Sequence, residues 1–172
     1  MYHIRLYHLV AALTIGSQLS AFSQEYTFNV SVGADFPELL NLGLRYEWSK
    51  YQFGVAYGSG IGEENIQTLT TDFWYHCLGH HEGEGRQPGY VRTALEYLRS
   101  ESDARITKDI YAGIRIGREF LFNDRTGIRA DIGFSFLAGS RSIMKPSGSV
   151  YELIEESFNI IPAFGLAVFY KF

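Results

Sequence analysis

The chain has 172 residues, which is the size of a single domain, and a formal net charge of −4. This mildly acidic balance excludes an extended basic surface for nucleic acid, and the single cysteine, Cys77, excludes an intrachain disulfide. Aromatic residues make up 16% of the chain, and 18 glycines stand against 4 prolines. That composition is typical of strands joined by tight turns.

Residues 1–23, the first element in the chain, are predicted to form a secretory signal peptide. Arg5 places positive charge near the start, residues 6–15 are mainly apolar, and Ala21 and Ser23 are small residues suited to a cleavage site before Gln24. A transmembrane anchor is the alternative. Its apolar core of about ten residues would be only half of the roughly 20 that a helix needs to cross a bilayer. Residues 24–172 are then one exported domain.

Apolar and polar residues alternate with period two through most of residues 24–172, which predicts β-strands. Eight segments show this pattern, at 25–34, 40–49, 51–58, 68–77, 91–98, 110–122, 128–136 and 158–172. A short helix over 94–105 is the alternative in one place. No segment after residue 23 is apolar for long enough to span a bilayer as a helix. A chain that stays in a membrane must then do so as a barrel, and eight is an even strand number, as bacterial barrels require.

The connections between these strands should alternate between the two sides of the membrane, with the start of the domain in the periplasm. The predicted outer loops are 35–38, 58–65, 100–106 and 139–156, and the predicted inner turns are 49–50, 78–88 and 123–126. Outer loops are usually the longer ones. The connection 78–88 is long and polar for an inner turn, so either that turn is unusual or the strand count is wrong there.

The polar face of the strands is predicted to line the barrel interior, and the apolar face to contact lipid. Glycines are frequent on the polar face, which suits the narrow interior of an eight-stranded barrel. Charges of both signs occupy mid-strand positions on that face, so we expect them to pair across a nearly neutral lumen without an open pore. The residues assigned to this lumen network are Arg45, Glu47, Asp72, Arg92, Glu96, Arg115, Glu119, Arg129 and Asp131. A soluble, lipocalin-like barrel that binds an apolar ligand would have the opposite orientation.

The last predicted strand keeps its apolar residues on one face and ends on an aromatic residue. The residues of this face are Phe164, Leu166, Val168, Tyr170 and Phe172. The pattern resembles the C-terminal signal that the barrel-assembly machinery recognises in bacterial outer-membrane proteins, and such an amphipathic strand can pair by strand addition. With the segments 114–120 and 128–133, residues 24–172 resemble the OmpA/OmpX-type superfamily of small outer-membrane β-barrel proteins.

Pattern and resemblance together predict an all-β fold, an eight-stranded antiparallel up-and-down transmembrane β-barrel. The resemblance implies a location in the outer membrane of a Gram-negative bacterium. Outer-membrane lipid would surround the protein, and the barrel-assembly machinery would be its partner during biogenesis. Many members of this superfamily have no assigned activity, so the resemblance implies location more than chemistry.

Few residues in the sequence could carry chemistry. His76, His80 and His81 belong to the only dense set of potential metal ligands, but their spacing on a strand end and a turn defines no site, so no metal and no other cofactor is predicted. A Ser–His–acid arrangement would need a long-range pairing. We therefore expect a non-enzymatic protein with a plugged polar lumen, acting in envelope structure or through loop contacts with an unknown extracellular partner. A lipid-directed outer-membrane enzyme is a further alternative.

Overall fold

The computed structural model describes residues 27–36, 39–60, 65–79, 87–145, 150–151 and 159–172. The strands are β1 (Thr27–Phe36), β2 (Leu39–Trp48), β3 (Tyr51–Ser59), β4 (Asn65–Leu78), β5 (Gly89–Glu101), β6 (Arg105–Leu121), β7 (Thr126–Met144), β8 (Val150–Tyr151) and β9 (Ile160–Lys171). Within these ranges, no helix is long and apolar enough to cross a membrane. The predicted signal peptide, 1–23, lies outside the described residues.

The sheet closes on itself, because each long strand is antiparallel to the next and β9 pairs with both β7 and β1. At the closure, Val32 of β1 is in register with Val168 of β9 on one side and with Leu42 of β2 on the other. The two-residue strand β8 adds only to the end of β7. The prediction of an eight-stranded antiparallel barrel is therefore confirmed.

The hairpins at one end of the barrel are longer than the sequence predicted. β5 continues to Glu101 and β6 begins at Arg105, so the connection is 102–104 instead of 100–106, and β7 continues to Met144 through the first third of the predicted loop 139–156. The alternative of a helix over 94–105 is wrong for the same reason. Polar side chains mask the period-two pattern in this region, while antiparallel pairing such as Arg99 with Lys108 continues the ladder.

The inner turns settle the doubt about strand count. Ser49 takes a positive φ of 55° in the two-residue turn at 49–50, as a tight hairpin requires. β4 ends at Leu78 and β5 begins at Gly89, so the long connection between them lies at the same end of the barrel as that turn. The strand count was right, and the connection is unusually long. Its residues 80–86 lie outside the described residues.

The exterior of the barrel is apolar and the interior is polar. Along β3, exposed and buried residues alternate without interruption. Phe53 and Val55 are exposed on the outer face, and Gln52 is buried in the barrel interior. Ile132 of β7 is 65% exposed, whereas Arg45 of β2 is 1% exposed. This orientation contradicts the soluble, lipocalin-like alternative, which needs the apolar side chains inside.

Gly133 shows why the interior needs small residues, and it carries a prediction. A Cβ atom there would overlap the carbonyl oxygen of Ile114 and lie 2.6 Å from Arg115 Cα, both in the adjacent strand. Gly133→Ala should therefore lower the free energy of unfolding by about 1–3 kcal/mol, as overpacking typically does, measured by urea unfolding in lipid vesicles. Gly139→Ala is the matched control, because a Cβ at Gly139 meets no atom of the described residues within 4 Å. Equal losses in the two variants would contradict the crowding argument.

Candidate functional site

The centre of the barrel interior is the indole ring of Trp74, from β4, which is fully buried. Three guanidinium groups lie over this ring, with Cζ to centroid distances of 4.7 Å for Arg45, 5.1 Å for Arg92 and 4.9 Å for Arg129. The Tyr90 ring packs against the indole at 4.3 Å between centroids. Cations within about 6 Å of a tryptophan ring are attracted by its π-electrons, most strongly where water is absent. The ring therefore helps to hold three like charges close together.

Asp72 neutralises one side of this cluster. Its Oδ2 atom lies 3.2 Å from Arg45 Nη2 and 3.1 Å from Arg92 Nη2, and all three side chains are buried. One carboxylate is thus shared by guanidinium groups from β2 and β5. A buried charge is tolerated where it is paired and hydrogen-bonded in this way.

A second group of charges surrounds Arg115 of β6. Arg115 Nη1 lies 3.1 Å from Asp35 Oδ1 and 3.4 Å from Asp131 Oδ1. Arg92 Nη1 lies 3.7 Å from Asp35 Oδ1 and 3.9 Å from Asp131 Oδ2. The Tyr90 hydroxyl donates a hydrogen bond of 3.0 Å to Asp131 Oδ2. Because Arg92 contacts both groups, these two groups of charged side chains form one connected network.

Neutral polar residues complete the network. Arg45 Nη1 donates to Ser31 Oγ at 2.6 Å, and Arg129 Nη2 donates to the same oxygen at 2.9 Å. Asn41 Nδ2 donates to Asp35 in a short hydrogen bond. These contacts hold two of the three arginines that lie over Trp74, Arg45 and Arg129, and orient the carboxylate of Asp35 that faces Arg115.

The structure places eight of the nine residues assigned to the lumen network in the buried interior. These residues are Arg45, Asp72, Arg92, Glu96, Arg115, Glu119, Arg129 and Asp131. Glu96 is in register with Tyr111, and Glu119 with Arg129. Glu47 is different: it lies near the end of β2, half-buried, 3.6 Å from Lys171 Nζ and away from the central cluster.

Three important members of the interior were missing from the predicted network. Asp35 was assigned to an outer loop, although it continues the inward alternation of Asn29, Ser31 and Gly33 by one step. Tyr90 stands one residue before its predicted strand, with the same inward parity as Arg92. Trp74 lies in the predicted strand 68–77 with the inward parity of Asp72, but no role was assigned to it. Extending the alternation beyond the clean segments would have found the first two.

Formal charge in the interior is nearly balanced. Among the described residues, the buried arginines are Arg45, Arg92, Arg115 and Arg129, and the buried carboxylates are Asp35, Asp72, Glu96, Glu119 and Asp131. These residues come from six of the eight long strands, all except β3 and β9, so buried charge is spread over most of the circumference of the barrel.

The histidine cluster divides between described and undescribed residues. His76 is buried in the barrel, where its Nδ1 atom lies 2.9 Å from the Gln87 carbonyl oxygen and its ring lies 5.3 Å from that of Tyr90. His80 and His81 lie outside the described residues. Within the described ranges, no group of three or more histidine, cysteine or acidic residues is placed to hold a metal ion.

The C-terminal strand presents one face to the exterior. Phe164, Leu166, Val168 and Tyr170 are exposed there, and Phe172 is half-exposed at the chain end. Their proposed recognition by the barrel-assembly machinery remains a prediction. The structure shows only that the strand closes the sheet.

Comparison with known proteins supports the fold. No family model matches the sequence, and no curated protein sequence matches it. Among solved structures, the chain is similar to the N-terminal β-barrel domain of Pseudomonas aeruginosa OprF, with a TM-score of 0.57 and 18% identity over 86% of this chain and 96% of that one. It is also similar to Acinetobacter baumannii CarO, with a TM-score of 0.51 and 10% identity over 85% of this chain and 97% of that one. The chain thus has the fold of small outer-membrane β-barrel proteins, as the resemblance in its sequence predicted.

Proposed function

We propose that the chain is an integral outer-membrane protein whose barrel is surrounded by lipid and closed to solutes, and that it acts without enzymatic chemistry. The observation that carries this proposal is the orientation of the strands. Large apolar side chains such as Leu42, Phe53 and Ile132 are exposed around the exterior, while four arginines and five carboxylates are buried in the interior. An apolar surface of this extent is far larger than soluble monomers expose, and hydrocarbon is the solvent that suits it.

The closed lumen is supported by the packing around Trp74. An eight-stranded barrel is only wide enough for its own side chains, and here the indole, three guanidinium groups and Asp72 occupy the middle of the interior. Solutes would have to displace ion pairs that are shielded from water. A stable frame that supports the envelope, or presents its outer connections to an extracellular partner, fits this interior better than transport.

The non-enzymatic role is supported by how the buried carboxylates are used. Asp72 and Asp131 are each engaged by arginines, so neither is presented to a substrate at the surface. A lipid-directed enzyme, the alternative, would need reactive groups that reach the membrane interface.

Planar-bilayer recording tests the closed lumen. The purified protein should give no steady single-channel current, because on this proposal the side chains packed around Trp74 block the lumen. Gel mobility that changes on heating, measured on the same preparation, shows that the barrel has folded and inserted. Steady currents from the inserted protein would contradict the closed lumen. A change in lipid composition over time, absent from protein-free vesicles, would instead favour the enzymatic alternative.

A further inference from the structure

Three cations lie side by side on the exterior of the barrel, near the end where β5, β6 and β7 are longest. Arg99 is in register with Lys108, and Lys108 is in register with Arg141. Their positions are on the outward face of the strands, like Tyr97 and Ile110. Those two residues pair with each other two positions nearer the middle of the barrel. We refer to Arg99, Lys108 and Arg141 as the cationic row.

The position of the cationic row corresponds to the level of lipid headgroups. In β6 the outward face is mainly apolar from Ile110 to Phe120, about eleven residues, which is the length that a tilted strand needs to cross the hydrocarbon core. Lys108 is the next outward residue beyond that stretch. In β5, Arg99 likewise follows the outward Tyr97. Basic side chains at this depth can reach phosphate while their aliphatic parts stay against apolar surface.

The charges in the row need an anion. Like charges directly opposite each other on neighbouring strands are destabilising. Glu101, on the same face, is shared, since Arg99 Nη2 lies 2.7 Å and Lys145 Nζ 2.6 Å from its carboxylate oxygens. Asp109 lies next to Lys108 in sequence, but it has the opposite parity and accepts a hydrogen bond from Ser140. Among the described residues, which exclude 146–149 and 152–158, positive charge therefore exceeds negative charge on this part of the surface.

We infer that the cationic row binds the phosphate groups of an anionic outer-leaflet glycolipid, an inference that rests on the proposed outer-membrane location. A phosphate monoester carries close to two negative charges, and arginine forms paired hydrogen bonds with it. The acyl chains of the same lipid would lie against the apolar surface that begins at Tyr97 and Ile110. A phosphorylated lipid thus matches both the charge of the row and the hydrophobic wall beside it, whereas a soluble anion matches only the charge.

Lipid retention tests this inference. Wild-type protein and the double variant Lys108→Gln/Arg141→Gln are placed in nanodiscs of phosphatidylcholine with a small fraction of diphosphoryl lipid A, and native mass spectrometry measures the lipid that stays bound. The double variant should retain about ten- to thirtyfold less lipid A than wild type, since each basic residue near the surface contributes about 1 kcal/mol. Arg125→Gln, in the exposed turn at the opposite end of the barrel, is the matched control and should stay within about twofold of wild type.

Thermal stability gives a second readout that changes sign. In pure phosphatidylcholine, the double variant should melt about 1–3 °C higher than wild type, because repulsion within the row is relieved. In lipid A it should melt below wild type. If the two residues had only a structural role, the double variant would shift the melting temperature in the same direction in both lipid compositions.

Two results would overturn the inference. One is equal retention of lipid A by wild type and the double variant. The other is equally strong retention of phosphatidylglycerol at the same total charge, which would show a general attraction to anionic surfaces. If the protein shows no heat-modifiable barrel in the nanodisc, the proposed membrane location itself fails. If it inserts and retains no lipid A, only the lipid site fails.

Discussion

Asp72→Asn should lower the free energy of unfolding by about 3–5 kcal/mol, the loss typical of removing one partner from a buried ion pair. The Asp72 carboxylate lies 3.2 Å from Arg45 and 3.1 Å from Arg92, and all three groups are buried. Asparagine keeps the shape but leaves the guanidinium groups over Trp74 without their shared counter-charge. Urea titration in lipid vesicles, followed by heat-modifiable gel mobility, measures the change.

Two further variants separate this electrostatic effect from other causes. Asp124→Asn, in the exposed turn before β7, makes the same chemical change and should alter stability by no more than about 0.5 kcal/mol. The double variant Asp72→Asn/Arg45→Gln should lose less than the sum of its single changes, because the removed charges interact directly. Additive losses would show that Arg45 and Asp72 do not stabilise each other.

Ile114→Arg should lower the free energy of unfolding by about 2–4 kcal/mol, the cost measured for arginine at the lipid-facing midplane of membrane barrels. Ile114 lies near the middle of β6, outward and 48% exposed. A surface position this open would accept arginine within about 0.5 kcal/mol if water surrounded it. Equilibrium unfolding in vesicles therefore distinguishes the two solvents directly.

Ser59→Arg is the matched control for depth, since Ser59 is outward and exposed at the end of β3. Its loss should be about 0–1 kcal/mol, because arginine near the interface reaches water and headgroups. Similar results for Ile114→Arg and Ser59→Arg would argue against a lipid-facing exterior.

The fold was predictable where one face of a strand is apolar and the other is polar. β3 is the clearest case, with an alternation that appears unchanged in the burial of its residues. Prediction failed around 99–109, where both faces carry polar groups and only the pairing of backbones extends the hairpin. It also failed at Asp35, which was predicted to begin the outer loop 35–38 but belongs to the buried interior.

For the candidate site, the sequence predicted which residues face the interior better than it predicted their contacts. Parity along a strand places Arg115 and Asp131 inside, whatever their partners are. Arg115 and Asp35, which pair in the interior, are 80 residues apart in the sequence. Their pairing depends on the stagger of the strands in the closed sheet, which no local sequence pattern predicts. The position of three guanidinium groups over Trp74 has the same origin, because β2, β5 and β7 supply them to a ring from β4.

The pairing of β1 with β9 constrains how the protein can be made. β1 finds its second neighbour in β9, in residues as late as Lys171, so in an exported chain its edge would stay open until β9 had followed. In hydrocarbon an open edge would leave backbone groups without hydrogen bonds, at several kcal/mol each. Stepwise insertion during translocation is therefore disfavoured. For the proposed outer-membrane location, the polypeptide would have to stay unstructured and soluble in transit, and folding and entry into the bilayer would be one concerted event.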